Sequence, residues 1–160
     1  MAQPLDLMTR ILDIGNKSEQ KFLRRKTAEF DFKKSSPKEI RELIKKMRET
    51  MEEANGIGLA ANQIGLDVKV FVARVEGKFY AIFNPEVTKT SRETEAAVEG
   101  CLSISLVMGE VVRPYRITLK GFDKAGKKLT IRAWGHLARV LQHEVDHLNG
   151  KLFIDYLKKR

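Results

Sequence analysis

The sequence predicts an α+β domain in which antiparallel strands precede a late helix built to hold a divalent metal. Three observations carry that expectation. β-Branched and aromatic residues alternate with polar ones through mid-chain, the apolar period lengthens to helical spacing in two places, and Gln142 to Gly150 reads Gln-His-Glu-Val-Asp-His-Leu-Asn-Gly. On a helix, His143 and His147 project from one face and can grip one ion, while Glu144 beside them can take a proton from water. That division of labour belongs to metal-dependent hydrolases. An ordinary solvated face is the bland alternative, but the chain has only three histidines, and two of them stand at chelating spacing around a glutamate.

Residues 1–35 give little pattern. An apolar set at Leu5, Leu7, Met8, Ile11 and Leu12 leads into a polar loop at Gly15-Asn16, and weak structure is expected there. Ser36-Pro37-Lys38-Glu39 then announces a helix, with an N-cap serine, proline at the first helical position and glutamate closing a capping box. Ile40, Leu43, Ile44, Met47 and Met51 define its buried face, and Asn55-Gly56 supplies the left-handed stop. Gly56 to Gly65, Gly-Ile-Gly-Leu-Ala-Ala-Asn-Gln-Ile-Gly, follows without a preceding strand or a Lys-Ser/Thr, so it is no nucleotide loop. A tight turn and a segment that lets a ligand approach the backbone explain it equally well.

Residues 68–75 and 78–87 read as paired strands across the Glu76-Gly77 turn. Residues 91–98 form a further strand leading into Glu99-Gly100-Cys101-Leu102-Ser103, and residues 116–122 and 128–134 make a hairpin around Asp123-Lys124-Ala125-Gly126. The last helix spans 135–149, with an apolar stripe at Leu137, Val140, Leu141 and Leu148 and a stop at Asn149-Gly150.

No repeat or linker divides the chain, and 160 residues suit one domain, 1–160. A single cysteine fits a reducing compartment. No apolar run approaches the roughly 20 residues of a membrane span, and Met1 to Asp13 lacks the signal-peptide pattern, so a cytoplasmic location is expected. The net charge of +9 favours polyanions such as RNA without fixing a partner.

Two histidines leave a catalytic site one protein ligand short. In His-Glu-x-x-His-x-x-Gly-x-x-His proteases the third histidine would stand where this chain has Phe153, after Gly150. His136, if helical, lies about 10 Å along the axis from His143. Cys101 is the leading candidate, although an unpaired cysteine more often serves as a small buried hydrophobe.

Taken together, Gly56-Ile57-Gly58-Leu59-Ala60-Ala61-Asn62-Gln63, Glu99-Gly100-Cys101-Leu102-Ser103 and Gln142-His143-Glu144-Val145-Asp146-His147 resemble, in order and spacing, the three signature motifs of the peptide deformylases. The likeness extends over roughly residues 36–157. It implies an α+β fold, with antiparallel sheets packed around a central metal-binding helix, and removal of the formyl group from N-formylmethionyl chains. By resemblance, Cys101, His143 and His147 would bind the metal, usually Fe2+, with Zn2+, Ni2+ or Co2+ as substitutes.

Glu144 would be general base and then general acid, while the Gln63 side chain and the Leu102 backbone N–H would hold the carbonyl oxygen as it gains charge. Gly58, with Ile57 and Gly100, falls on the substrate side, where an extended peptide would add as a strand. His136 and Val140 share the face of His143 and would edge the methionine pocket; a solvent-facing histidine at the helix start is the alternative. Asp146 and Arg113 would pair behind the metal helix.

The chain departs from the family pattern at Asn62, commonly proline, at Ile104-Ser105-Leu106, where an apolar residue, proline and glycine are frequent, and at His136, usually apolar. The implied partners are formylmethionyl nascent peptides and, through Lys158-Lys159-Arg160, the ribosome; a monomer is expected, with no DNA or membrane contact. Rival readings are a peptidase with another third ligand and a non-catalytic module that meets ribosomal RNA.

Overall fold

The computed structural model describes residues 9–157, so Leu5, Leu7, Met8 and the Lys158-Lys159-Arg160 cluster lie outside the described residues. Five strands form one antiparallel sheet in the order β1-β2-β3-β6-β7: β1 Gly58–Ala60, β2 Val70–Val75, β3 Lys78–Thr90, β6 Arg116–Phe122 and β7 Lys128–Trp134. The remaining two, β4 Thr94–Cys101 and β5 Ile104–Pro114, pair as a separate ribbon.

Local chemistry sets the turns. Glu76 and Gly77 both take positive φ, which matches the twist of the β2–β3 hairpin. At the β6–β7 turn, Asp123 Oδ1 accepts from the N–H groups of Ala125 and Lys127.

Helices cover both faces of the five-stranded sheet. α2, Pro37–Glu53, begins with the expected capping box: Ser36 Oγ accepts from Glu39 N–H at 3.1 Å, and Glu39 Oε2 accepts from Ser36 N–H at 3.3 Å. Asn55, at φ 55, ends it. Its apolar face, Ile40, Met47 and Met51, buries against Leu59, Val70, Val72 and Phe83. On the other face α3, Gly135–Leu148, buries Ala138, Val140, Leu141, Val145 and Leu148 against Phe71, Ala73, Ile82, Ile117 and Leu119. Among the described residues, no helix is long and apolar enough to cross a membrane.

Three expectations are corrected. Within residues 9–35 the N-terminal segment is not weakly structured. Asn16 caps α1, Lys17–Leu23, by accepting from Ser18 and Glu19 N–H. Just before it, Leu12 N–H donates to the Gln63 carbonyl at 2.7 Å and Ile14 N–H to that of Ser103 at 3.1 Å, which straps two motif segments together. These bonds are long-range, so local pattern could not reveal them. The strand read at 91–98 runs instead over Thr94–Cys101, because Ser91 and Glu93 are drawn into hydrogen bonds with Arg116. Residues 104–114, assigned no element from sequence, form β5; its apolar residues alternate poorly because several of them face solvent.

Candidate metal centre

α3 begins at Gly135, at φ 62, so the chain turns sharply off β7 and aims the helix across the sheet. The helical period places His143 and His147 on one side with Nε2 atoms 3.2 Å apart. β4 delivers the third donor: Cys101 Sγ stands 3.3 Å from His147 Nε2, and the three ligand atoms lie within 4.8 Å of one another. Metal–sulfur and metal–nitrogen lengths of about 2.3 and 2.0–2.1 Å in a tetrahedral shell demand donor separations of about 3.3–3.6 Å. The set therefore fits one ion of the soft to borderline class. Phe153 stacks on the His143 ring, with centroids 6.3 Å apart and planes 24° apart, instead of contributing a ligand.

His143 owes its orientation to a residue to which sequence reasoning gave no role. Its Nδ1 lies 2.9 Å from Glu99 Oε1, which leaves Nε2 for the ion. Glu99 is buried and clamped by two arginines: Arg113 donates through Nε at 2.6 Å and Nη2 at 2.9 Å, and Arg139 through Nη1 at 2.7 Å. Arg139 also donates to the carbonyls of Val111 and Glu95. The expected Arg113–Asp146 pair is present at 2.9 Å, and Tyr156 donates to the same carboxylate oxygen at 2.8 Å. Strand alternation was the usable signal, since Glu99, two residues before Cys101, shares its face.

Burial opposes the charge on Glu99, but His143 and Arg113 outweigh it and hold the carboxyl at about 2. Burial likewise opposes a proton on His143, yet Cys101 and Glu99 raise it to about 10, while burial first and then His143 push His147 well below the ordinary range.

Glu144 is buried on the sheet side. Burial pushes its carboxyl up to about 7, and its Oε2 has no protein partner among the described residues. Gly58 makes this placement possible, because a Cβ there would collide with the Glu144 carboxylate. The missing side chain makes room for the acid.

The short turn Ala61–Ile64 fixes Gln63: its Oε1 accepts from Ala60 N–H at 3.0 Å, and its Nε2 donates to Ser103 Oγ at 3.0 Å and lies 3.6 Å from Cys101 Sγ. Asn62 Nδ2 donates to the His147 carbonyl at 2.7 Å, tying that turn to the metal helix. Leu102 follows the thiol at the β4–β5 turn, and its side chain packs so closely on Gly56 that a Cβ there would clash. Ile57 and Gly100 are exposed at the rim. His136 is exposed in the first turn of α3, and Val140 is buried in the core beneath that helix, so these two do not join the cluster of ligands.

A thiol and two helix-borne imidazoles around one point, flanked by a buried glutamate, define a metallo-hydrolase of the His-Glu-x-x-His class. The family model for polypeptide deformylase matches residues 8–160. A peptide deformylase of Natranaerobius thermophilus is 47% identical over 117 residues, 72% of this chain and 75% of that one. The crystal structure of the Thermotoga maritima peptide deformylase has a TM-score of 0.86 at 36% identity, covering 95% of this chain and 99% of that one. A Met-Ala-Ser-bound class I type b peptide deformylase from Acinetobacter baumannii has a TM-score of 0.88 at 28% identity, covering 96% and 100%. The chain belongs to the polypeptide deformylase family.

Proposed function

We propose that this chain hydrolyses the formyl amide of N-formylmethionyl polypeptides, releasing formate and a free α-amine. The observation that carries the reading is the convergence of Cys101, His143 and His147 beside a buried Glu144 whose Oε2 has no protein partner among the described residues. The A. baumannii relative bound to Met-Ala-Ser supports a product-like peptide as ligand. Cys101, His143 and His147 would hold a divalent ion, Fe2+ with Zn2+, Ni2+ or Co2+ as substitutes, and that ion would supply Lewis acidity toward water and the formyl oxygen.

The protein's own residues do the rest. Glu144, held near neutrality by burial, accepts the proton of the attacking water and delivers it to the departing amine. The Gln63 amide, pinned through Oε1, and the Leu102 N–H donate to the carbonyl oxygen as charge develops there. Ile57, Gly58 and Gly100 take the peptide backbone as an added strand, while His136 and Val140 stand on the methionine side. This mode reads main chain rather than sequence, which suits nascent chains of every kind.

Anaerobic purification with metal analysis, followed by a formate-release assay on formyl-Met peptides, tests the proposal. Wild type is expected to turn over. Glu144→Ala is expected to keep its metal and lose turnover by at least about 100-fold. Equal activity on unformylated peptides, or full activity of Glu144→Ala, overturns it.

A further inference from the structure

The two histidines of the metal centre are steadied in different ways. His143 has Glu99 Oε1 at 2.9 Å from its Nδ1, whereas the Nδ1 of His147 is buried and has no protein partner among the described residues. That asymmetry bears on coordination. A ring that binds an ion through Nε2 carries its hydrogen on Nδ1, and the acceptor of that hydrogen fixes the tautomer and the orientation of the ring. Buried N–H groups are rarely left without an acceptor.

Asn62 offers the matching atom. Its Oδ1 is likewise buried without a protein partner among the described residues. The two orphaned atoms belong to residues already joined, because Asn62 Nδ2 donates to the His147 carbonyl at 2.7 Å, and each residue is only 1% exposed. Glu144 Oε2, the third such atom, has its use in the reaction proposed above. A donor and an acceptor, each short of one bond, therefore remain on one contacting pair.

The surroundings hold that pair still. Gly150 N–H shares the His147 carbonyl at 3.1 Å, and Thr27 donates to the next carbonyl, that of Leu148, through both its N–H and its Oγ1 at 2.9 Å. These bonds satisfy groups that a helix end leaves open, so the last turn of α3 is fixed from outside the helix. The turn that carries Asn62, Ala61–Ile64, is itself buried throughout.

We infer that Asn62 is a positioning residue for His147: its Nδ2 holds the main chain of that ligand, and its Oδ1 takes the ring hydrogen through one buried water that bridges Oδ1 and Nδ1. This role rests on the metal-binding part of the deformylase reading. Proline, common at position 62 in relatives, has neither atom, so the coupling belongs to this chain. Asn62 touches neither the ion nor the reacting atoms, and its effect falls on metal affinity and on the ring hydrogen of His147 alone.

Nuclear magnetic resonance of the zinc-loaded protein with 15N-labelled histidine reads both rings at once. Wild type should show a slowly exchanging Nδ1 hydrogen on each ligand, and that of His143, held by Glu99, is the internal control. Two variants remove the amide: Asn62→Leu, of similar shape, and Asn62→Pro, a residue compatible with this turn in relatives and therefore expected to fold. Each should keep the slow His143 hydrogen, lose that of His147 to fast exchange, and bind zinc about tenfold more weakly in a chelator competition. A slow His147 hydrogen that persists in both variants, or zinc affinity unchanged in both, overturns the role of Asn62 while leaving the metal site intact. Loss of both ring hydrogens together also overturns it, since the amide would then support the whole site and not one ligand. A wild type that binds no zinc removes the metal reading itself, and the role of Asn62 falls with it.

Discussion

The two sheets are held in place by different forces. The five-stranded sheet is an oily layer, buried on one side by α3 through Phe71, Ile117, Leu119, Leu141 and Leu148, and on the other by α2. A two-stranded ribbon is only marginally stable alone, and among the described residues its buried anchors in an apolar cluster are Ile104 and Val111 of β5, with Cys101 partly buried against them. What ties β4 to α3 is charge: Glu99 with Arg113, Arg139 and His143, and Arg113 with Asp146. The sheet sets the fold, whereas the ribbon brings the thiol to the histidines through ion pairs that also orient one of them. Fold and metal site should therefore fail separately.

The sharpest way to break that contrast is a matched pair of substitutions. Phe71→Ala opens a cavity in the oily layer and should destabilise by about 3–5 kcal/mol in chemical denaturation, with the metal affinity of the folded protein unchanged. Glu99→Gln removes the one negative charge shared by two buried arginines. It should destabilise by a similar amount, about 3–5 kcal/mol, and in addition weaken metal binding about 10- to 100-fold in a chelator competition.

pH sharpens the same point. The Glu99 carboxyl sits at about 2 in the folded chain against an ordinary 4.5. It binds fewer protons folded than unfolded between those values, so the stability it contributes is fully present above about pH 4.5 and lost as pH falls through about 2. Wild type should accordingly lose stability over that window more steeply than Glu99→Gln. Parallel acid limbs would show that the ribbon is held by apolar contacts after all.

The same division explains what the sequence disclosed. Periodicity reports burial, so α2, α3 and the β2–β3 and β6–β7 hairpins were legible, and their ends followed from Asn55, Gly77, Gly126 and Gly150, all at positive φ. The ligands were legible because chelating spacing within a helix is local, and because Cys101 is the one cysteine. The ribbon was not. β5 exposes Leu106, Val107, Met108 and Val112, which blurs its alternation, and its attachments join residues 14 to 44 positions apart. Glu99 stood inside a quoted motif without a role: strand alternation puts it on the face of Cys101, but does not say that it will hold a histidine from another element. The strap from Leu12 and Ile14 onto Gln63 and Ser103 was hidden for the same reason.

The smallest effect comes from the outer end of the charged chain. Tyr156 donates to Asp146 at 2.8 Å, and the Arg113 guanidinium lies 4.9 Å from its ring centroid. Tyr156→Phe keeps the ring and removes one hydrogen bond from a carboxylate that Arg113 still pairs, so it should cost about 0.5–1.5 kcal/mol and leave metal affinity unaltered. Burial and the bond to Asp146 raise the Tyr156 hydroxyl to about 12. Its contribution is then fully present below about pH 10 and lost as pH rises through about 12, a loss that Tyr156→Phe should not show in alkaline denaturation. Were this distant hydroxyl to weaken metal binding as much as Glu99→Gln does, the chain from Tyr156 through Asp146 and Arg113 to Glu99 would act as one rigid lever on His143. Graded losses instead mean that each ion pair positions only its neighbour, and that the ribbon holds the thiol mainly through Glu99 itself.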